Sequence, residues 1–346
     1  MKIALVDYIG YSDAKGNPVG HTLKILKEYG ELISSQYEIE YWVPKGYAQR
    51  LQNEEVHEIP FFSDTTVRGK SSWNNLMTFV QSCLNIFYTL KKTTANVVWF
   101  CNVDQFLYMC LGIFGFLGKK IVVTTFATQY PKTYHNYFLN KVKKKITLFI
   151  SSNRQYEEMD NGFFMPDFLY SDHIYASYIS NQRKNKIICL GTMSRSKKIK
   201  EIVQVCSKMN WPLDVNGFFY DKSYYDEVMM AKNENVHIQN RYLEYEEYLK
   251  LLGEAKFCFF NYEENAYATI TSGVLLECIF MNCIPIANKF LLKNMNINGI
   301  GFEKIEDIEF DNIDPDEIIK KNRMIIKERY EMETVKSNLL QRFSQL

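Results

Sequence analysis

Short apolar runs rich in β-branched residues alternate with longer stretches of helical periodicity along this chain, a pattern that admits few folds. In the first half, residues 3–7, 38–43, 97–101, 121–125 and 147–151 read as strands, and 22–34, 73–91, 106–115 and 134–144 carry helical spacing between them. After Asn185 the pattern restarts. Strands are expected at 186–190, 213–216, 236–238, 257–260 and 284–287, and helices at 198–209, 222–230, 245–252, 273–281 and 315–329. Strands that alternate with helices build parallel sheets from βαβ units. A restart at mid-chain points to two doubly wound α/β domains rather than one closed barrel, and 346 residues are more than one core usually supports. The expected division is 1–170, 186–320 and a helical tail at 321–346, with the polar stretch 167–185 as the connection. In the tail, Val335, Leu339, Leu340 and Phe343 recur at helical spacing and require a partner face.

The charge balance removes several function classes. A net charge of +1 provides no field for wrapping nucleic acid. One region departs from it: 119–154 carries eight Lys/Arg and no Asp or Glu. The longest apolar stretch, 106–117, falls short of the roughly 20 residues that span a bilayer, so it reads as a buried helix. With the basic stretch after it, the same region offers a possible peripheral contact with anionic lipid. The apolar run at 1–7 is too short for a signal peptide. Eight cysteines lie singly, without a Cys-x-x-Cys pair, which predicts reduced, buried thiols in a cytoplasmic protein. His57, His135, His173 and His237 show no metal-ligand spacing. Asp314-Pro-Asp316 precedes a helix and reads as a cap with proline in the first turn. No metal and no cofactor is expected.

The stretch 268–287 carries the most chemistry. It reads as a polar loop, a helix opening at Ser272, and an apolar strand entered through Pro285. Ser272 is a good N-cap, Gly273 permits close approach to the backbone, and the unpaired N–H groups of a first helical turn suit a phosphate. Glu277 lies four residues after Gly273, on the same face one turn deeper, where a carboxylate accepts hydrogen bonds from ribose hydroxyls. A second element converges on this one. The strand at 186–190 ends at Gly191 and is followed by a basic turn with Arg195, Lys197 and Lys198, which falls at a carboxyl strand end, the ligand position of open α/β sheets. Near the N-terminus, Gly16, Gly20 and His21 form a glycine loop after the first strand. It lacks the spacing of dinucleotide binders but could close over a sugar or phosphate.

These elements together resemble the GT-B glycosyltransferases, and most closely the retaining family 4, over roughly 186–289. The resemblance implies two Rossmann-like domains with an interdomain cleft and a C-terminal helix crossing back to the first. It also implies transfer of a sugar from a nucleoside-diphosphate sugar, with a UDP-sugar favoured, to a saccharide or lipid-linked saccharide in polysaccharide or glycoconjugate synthesis. By position, Lys197 is similar to the family's diphosphate lysine and Glu277 to its ribose-binding glutamate, with Arg195 a second cation. Gly191, Gly217, Thr271, Ser272 and Gly273 complete the donor set, and Arg241 and Tyr242 lie in a loop similar to the one that cups the base. The chain departs from the family in three places. Thr269 stands where the first of two paired glutamates is expected, and Thr192 replaces an arginine after the strand glycine. No histidine occurs in 124–129, leaving Asp104, Thr128 and Gln129 as stand-ins for a first-domain catalytic contact. Two other readings share the fold: a non-catalytic partner subunit of an active transferase, and a nucleotide-sugar epimerase.

Overall fold

The computed structural model describes all residues except 10–21, 49–50, 52–54, 62–71, 126–132, 152–161, 268–270 and 311–312. Two compact units form, one built chiefly from Met1–Ser151 with Lys336–Leu346, the other from Phe168–Val335.

The first unit contains strands β1 (Lys2–Asp7), β2 (Glu38–Pro44), β3 (Val56–Ile59), β4 (Val97–Asn102), β5 (Lys120–Thr125), β6 (Thr147–Ile150) and β7 (Gly162–Phe164). They pair in parallel in the order β3-β2-β1-β4-β5-β6-β7. Helices α1 (Thr22–Ile33), α2 (Ser72–Lys92), α3 (Gln105–Phe114) and α4 (Thr133–Val142) connect them. β1 and β4 are buried on both faces, as parallel strands covered by helices must be. One face packs Ala4, Val6, Val98, Phe100 and Val123 against α2 and α3. On another side Trp99 stacks on Tyr29 with ring centroids 4.7 Å apart, and Phe343 from the C-terminal helix lies 5.3 Å from Trp99 and 6.1 Å from Phe149. Leu339 and Phe343 are buried there, so the tail's apolar stripe completes the core of the first unit.

The second unit contains β8 (Lys184–Met193), β9 (Leu213–Phe219), β10 (Val236–Asn240), β11 (Ala255–Phe260), β12 (Ile284–Asn288) and β13 (Ile300–Phe302) in the parallel order β10-β9-β8-β11-β12-β13. Its helices are α5 (Asp172–Tyr175), α6 (Ile199–Met209), α7 (Lys222–Met230), α8 (Tyr245–Glu254), α9 (Glu264–Tyr267), α10 (Gly273–Phe280), α11 (Lys289–Met295) and α12 (Pro315–Arg329), before α13 (Met332–Ser344). The strand order reverses between β1 and β4 in one sheet and between β8 and β11 in the other. Ligands of doubly wound sheets bind outside the carboxyl ends of strands at such a reversal.

Three expectations need correction. The strands β3, β7 and β13 carry no clear sequence signal because they are three or four residues long at or near sheet edges, where less side chain is buried. The stretch 106–117, expected to be a buried helix, is helical only to Phe114, and while Phe106, Leu107, Tyr108, Cys110 and Leu111 are buried, Ile113, Phe114 and Leu117 are exposed. The cysteines are not all thiols. Cys83 of α2 and Cys110 of α3 form a disulfide, brought to a Cα–Cα distance of 5.7 Å by helix packing that spacing in sequence does not reveal, while the other six are buried and free.

Candidate functional site

At the β8 end of the second sheet, Gly191 adopts φ +95° and pairs across the ladder with Gly217. A side chain at Gly217 would collide with the Gly191 carbonyl. A Cβ at Gly191 would stand 3.2 Å from Val274 Cγ2 and 3.9 Å from Lys197 Nζ. The first turn of α10 and the Lys197 ammonium therefore flank one backbone point. The turn that delivers Lys197 is a single 3-10 turn, Arg195–Lys197, closed by Lys198 in the left-handed region at φ 46°. It is held from the side by the Glu263 N–H, which donates to the Ser196 carbonyl at 2.7 Å.

Lys197 is buried, with 7% of its surface exposed. Its ammonium reaches Thr192 Oγ1 only at 3.4 Å and lies 5.4 Å from the Tyr262 ring centroid. Among the described residues no carboxylate pairs with it. Burial pulls its pKa from 10.5 down to about 8. A desolvated cation without a counter-charge is costly unless a ligand provides one.

Ser272 caps α10 by accepting from the Leu275 N–H, and its Oγ lies 3.4 Å from the Tyr262 hydroxyl. Tyr262 thus stands between the lysine and the helix tip. It is fixed in turn by Asn288, whose Oδ1 accepts from the Tyr262 N–H at 2.8 Å and whose Nδ2 donates to Asn261 at 3.0 Å. One turn into α10, Glu277 is buried and accepts from the Tyr245 hydroxyl at 2.8 Å. Tyr248, one helical turn after Tyr245, is pushed well above its ordinary pKa by burial and by the Glu277 carboxylate. Gly273 has a different reason from the one its position implied: the Phe168 ring occupies the space a side chain would need, so that flank is packed by protein.

The structure gathers Gly191, Lys197, Gly217, Ser272 and, one turn deeper, Glu277. It does not gather the two arginines. Arg195 is exposed, pairs with Asp221 at 3.1 Å and Glu227 at 2.8 Å, and lies over the Tyr224 ring. Arg241 forks onto Glu247, although its N–H donates to the Gly217 carbonyl at 3.0 Å and ties that loop to the β9 end. Tyr242 is exposed and Thr271 half-buried. Sequence reasoning missed Tyr245, Tyr248 and Tyr262. Only the placement of Tyr262 two residues past an apolar strand could have flagged one of them.

At the matching reversal of the first sheet, the buried Asp7 carboxylate accepts from the Ile9 N–H and from Asn102 Nδ2, both at 3.1 Å. Asp104 caps α3 by accepting from the Phe106 N–H at 2.9 Å and accepts from the Tyr8 hydroxyl at 2.7 Å. Gly16, Gly20, His21, Thr128, Gln129 and Thr269 lie outside the described residues. Asp314 caps α12 by accepting from the Asp316 and Glu317 N–H groups. The only grouping with metal-ligand geometry among the described residues is Glu40, Glu55 and His57, but the Lys2 ammonium lies 3.2 Å from Glu40 and 2.7 Å from Glu55, which makes it an ion-pair network.

No family model and no curated protein matches the sequence. Solved structures match over the full chain at low identity. Anabaena HepE in complex with UDP-glucose is 12% identical with a TM-score of 0.65, all of each chain being covered. AviGT4, a glycosyltransferase involved in avilamycin A biosynthesis, is 14% identical at 0.61, with 99% of this chain and 97% of that one covered. The trehalose-6-phosphate synthase OtsA is 7% identical at 0.64, with 100% and 99% covered. These likenesses, with the two parallel doubly wound sheets, show that the chain has the GT-B fold.

Proposed function

We propose that the chain is a glycosyltransferase that takes its sugar from a nucleoside-diphosphate sugar, UDP-sugar being the favoured donor, and that the second unit holds the diphosphate. One observation carries the reading: the Lys197 ammonium, buried and unpaired with any carboxylate among the described residues, at the carboxyl end of β8 beside the first turn of α10. HepE, with the same fold, was solved with UDP-glucose, and that supports the choice of donor.

In this reading the N–H groups at the start of α10 and the Lys197 ammonium meet the diphosphate oxygens, and Glu277 accepts from the ribose hydroxyls. As the bond to the anomeric carbon breaks, negative charge grows on the departing diphosphate. Both positive groups are already in place and need no reorganisation. The chain's own cation and helix tip stabilise the leaving group, so the reaction is proposed to run without a metal and, by resemblance, with retention. The acceptor is a saccharide or lipid-linked saccharide, received near Asp7, Asn102 and Asp104 of the first unit, at a cytoplasmic membrane face.

A thermal-shift screen against UDP, GDP, ADP and CMP, each with a matching sugar donor, tests the donor site. A ligand at about 100 times its Kd adds ~2.7 kcal/mol of stability. UDP compounds should raise Tm most, and absence of a shift with every nucleotide would remove the reading. Thr269, in place of the family's first paired glutamate, favours one alternative, a non-catalytic partner subunit. Slow release of UDP from UDP-sugar without acceptor separates the two, since a subunit that does no chemistry releases none.

A further inference from the structure

The helix α2 turns an apolar stripe outward. Trp73, Leu76, Met77, Val80, Leu84 and Phe87 recur at spacings of three and four, and each is at least 40% exposed. Its inward face is mixed: Thr78, Ser82, Asn85 and Thr89, none more than 2% exposed, lie beside the buried Ile86 and Leu90. A helix facing water presents polar residues on that side instead. The apolar face continues onto α3, where Ile113 and Phe114 of the last turn and Leu117 beyond it are exposed. Phe114 lies 6.2 Å from Phe87, and the Cys83–Cys110 disulfide joins the two helices. The crevice between them has no room for a water molecule, so the feature is a ridge rather than a ligand cavity. Contiguous apolar surface of this kind marks a docking face.

The charge around the ridge selects what covers it. Residues 65–156 contain twelve Lys/Arg and a single acid, Asp104, whereas the rest of the chain holds twenty-nine Lys/Arg against forty less one, or thirty-nine, Asp/Glu. The near-neutral total conceals one strongly basic segment. Lys91 and Lys92 end α2. Lys119 donates to the Thr93 and Ala95 carbonyls at 3.0 and 2.8 Å, which places it, with Lys120 next in the chain, at the same end of the ridge. Lys141 donates to the Gly112 carbonyl at 3.1 Å, beside the exposed turn of α3. A second copy of the chain would set these cationic rims against each other. An anionic lipid surface accepts the apolar side chains and neutralises the lysines together.

We propose that α2 and the last turn of α3 form a docking face for an anionic lipid surface, with α2 lying in the plane of the interface. No helix among the described residues is long and apolar enough to cross a membrane, so the contact is interfacial. This deepens the membrane association included in the proposed function and names its face, and its test involves no nucleotide.

The test uses the full chain with vesicles of phosphatidylglycerol and phosphatidylcholine, or of phosphatidylcholine alone. The chain should sediment with the anionic vesicles, shift Trp73 emission to the blue, and bind at least about tenfold less well when salt rises from about 0.05 M to about 0.5 M. Leu76→Glu with Leu84→Glu should reduce retention at least about tenfold, with unfolding temperature and any UDP-induced shift unchanged. Replacing Lys91 and Lys92 by glutamate provides a second variant that leaves the apolar ridge intact, and it should weaken binding in the same direction. Failure to bind anionic vesicles, or undiminished binding by the apolar double variant, overturns the proposal. A lipid-free dimer broken by the same substitutions also overturns it and assigns the face to a second copy. Loss of the UDP shift in the wild-type chain would refute the donor reading and leave this one standing.

Discussion

The two sheets reverse strand order in the same way, yet the ionisable residue buried at each reversal is of opposite type. In the second unit a buried lysine, unpaired with any carboxylate among the described residues, stands beside a helix tip. In the first, a buried aspartate is held by an amide side chain and a backbone N–H. A buried tyrosine lies near each, Tyr262 against the Lys197 ammonium and Tyr8 next in sequence to Asp7. On the proposed reading, topology sets where a ligand would sit and the buried ionisable residue selects its chemistry. A cationic pocket suits a diphosphate, and an anionic one suits the hydroxyls of a neutral sugar.

The largest expected effect falls on the cationic side. Lys197→Ala should reduce sugar transfer by at least about two orders of magnitude, because one preorganised group at a developing anion typically contributes that much. Turnover near wild type, measured with a saturating donor, would break the comparison. On the first unit, Phe343→Ala should cost about 3–5 kcal/mol of stability by emptying the space between Trp99 and Phe149. Chemical denaturation should show that loss without weaker UDP binding by the folded protein. If the donor affinity fell with it, the two units could not be treated separately.

A smaller effect has an unusual sign. The folded Lys197 titrates near 8 and the unfolded one near 10.5, so the unfolded chain holds more protons between those values. The cost of burying the cation is therefore fully present below pH 8 and disappears as pH rises toward 10.5. Lys197→Met should stabilise the ligand-free protein at pH 7 by about 1–3 kcal/mol while removing its response to UDP. A destabilised methionine variant would show that the ammonium has a partner of its own. Smaller again, Tyr245→Phe removes the hydroxyl that donates to Glu277 and should weaken UDP by about fivefold, near the ~1 kcal/mol of one hydrogen bond. Arg195→Ala should change it less, because that side chain is engaged by Asp221 and Glu227. Calorimetric titration of both variants orders the two effects.

The sequence made the central strands legible because segments such as 3–7 and 257–260 are buried on both faces and so read as unbroken apolar runs. The cap at Ser272 and the basic turn after Gly191 were legible as local chemistry. What places Val274 over Gly191, or Tyr245 against Glu277, is long-range packing, which no local pattern encodes. Gly273 shows the same limit from the other side, since a glycine that admits a ligand and one that admits a phenylalanine ring read alike. In α2 the helical period was plain, but the period does not say that an apolar stripe stays exposed while Thr78, Ser82, Asn85 and Thr89 turn inward beside Ile86 and Leu90. The Cys83–Cys110 pair was hidden for a related reason: it joins two helices whose packing is set by the whole unit.

The central claim is that Lys197 is the buried cation awaiting a diphosphate. Titrating UDP calorimetrically near pH 9, in two buffers of different ionisation heat, reads the proton balance directly. At that pH the ligand-free lysine is mostly neutral, and a bound diphosphate holds it charged, so binding should take up close to one proton. Lys197→Met should take up none. Tight binding of UDP by the wild-type chain with no proton uptake at pH 9 would contradict the assignment.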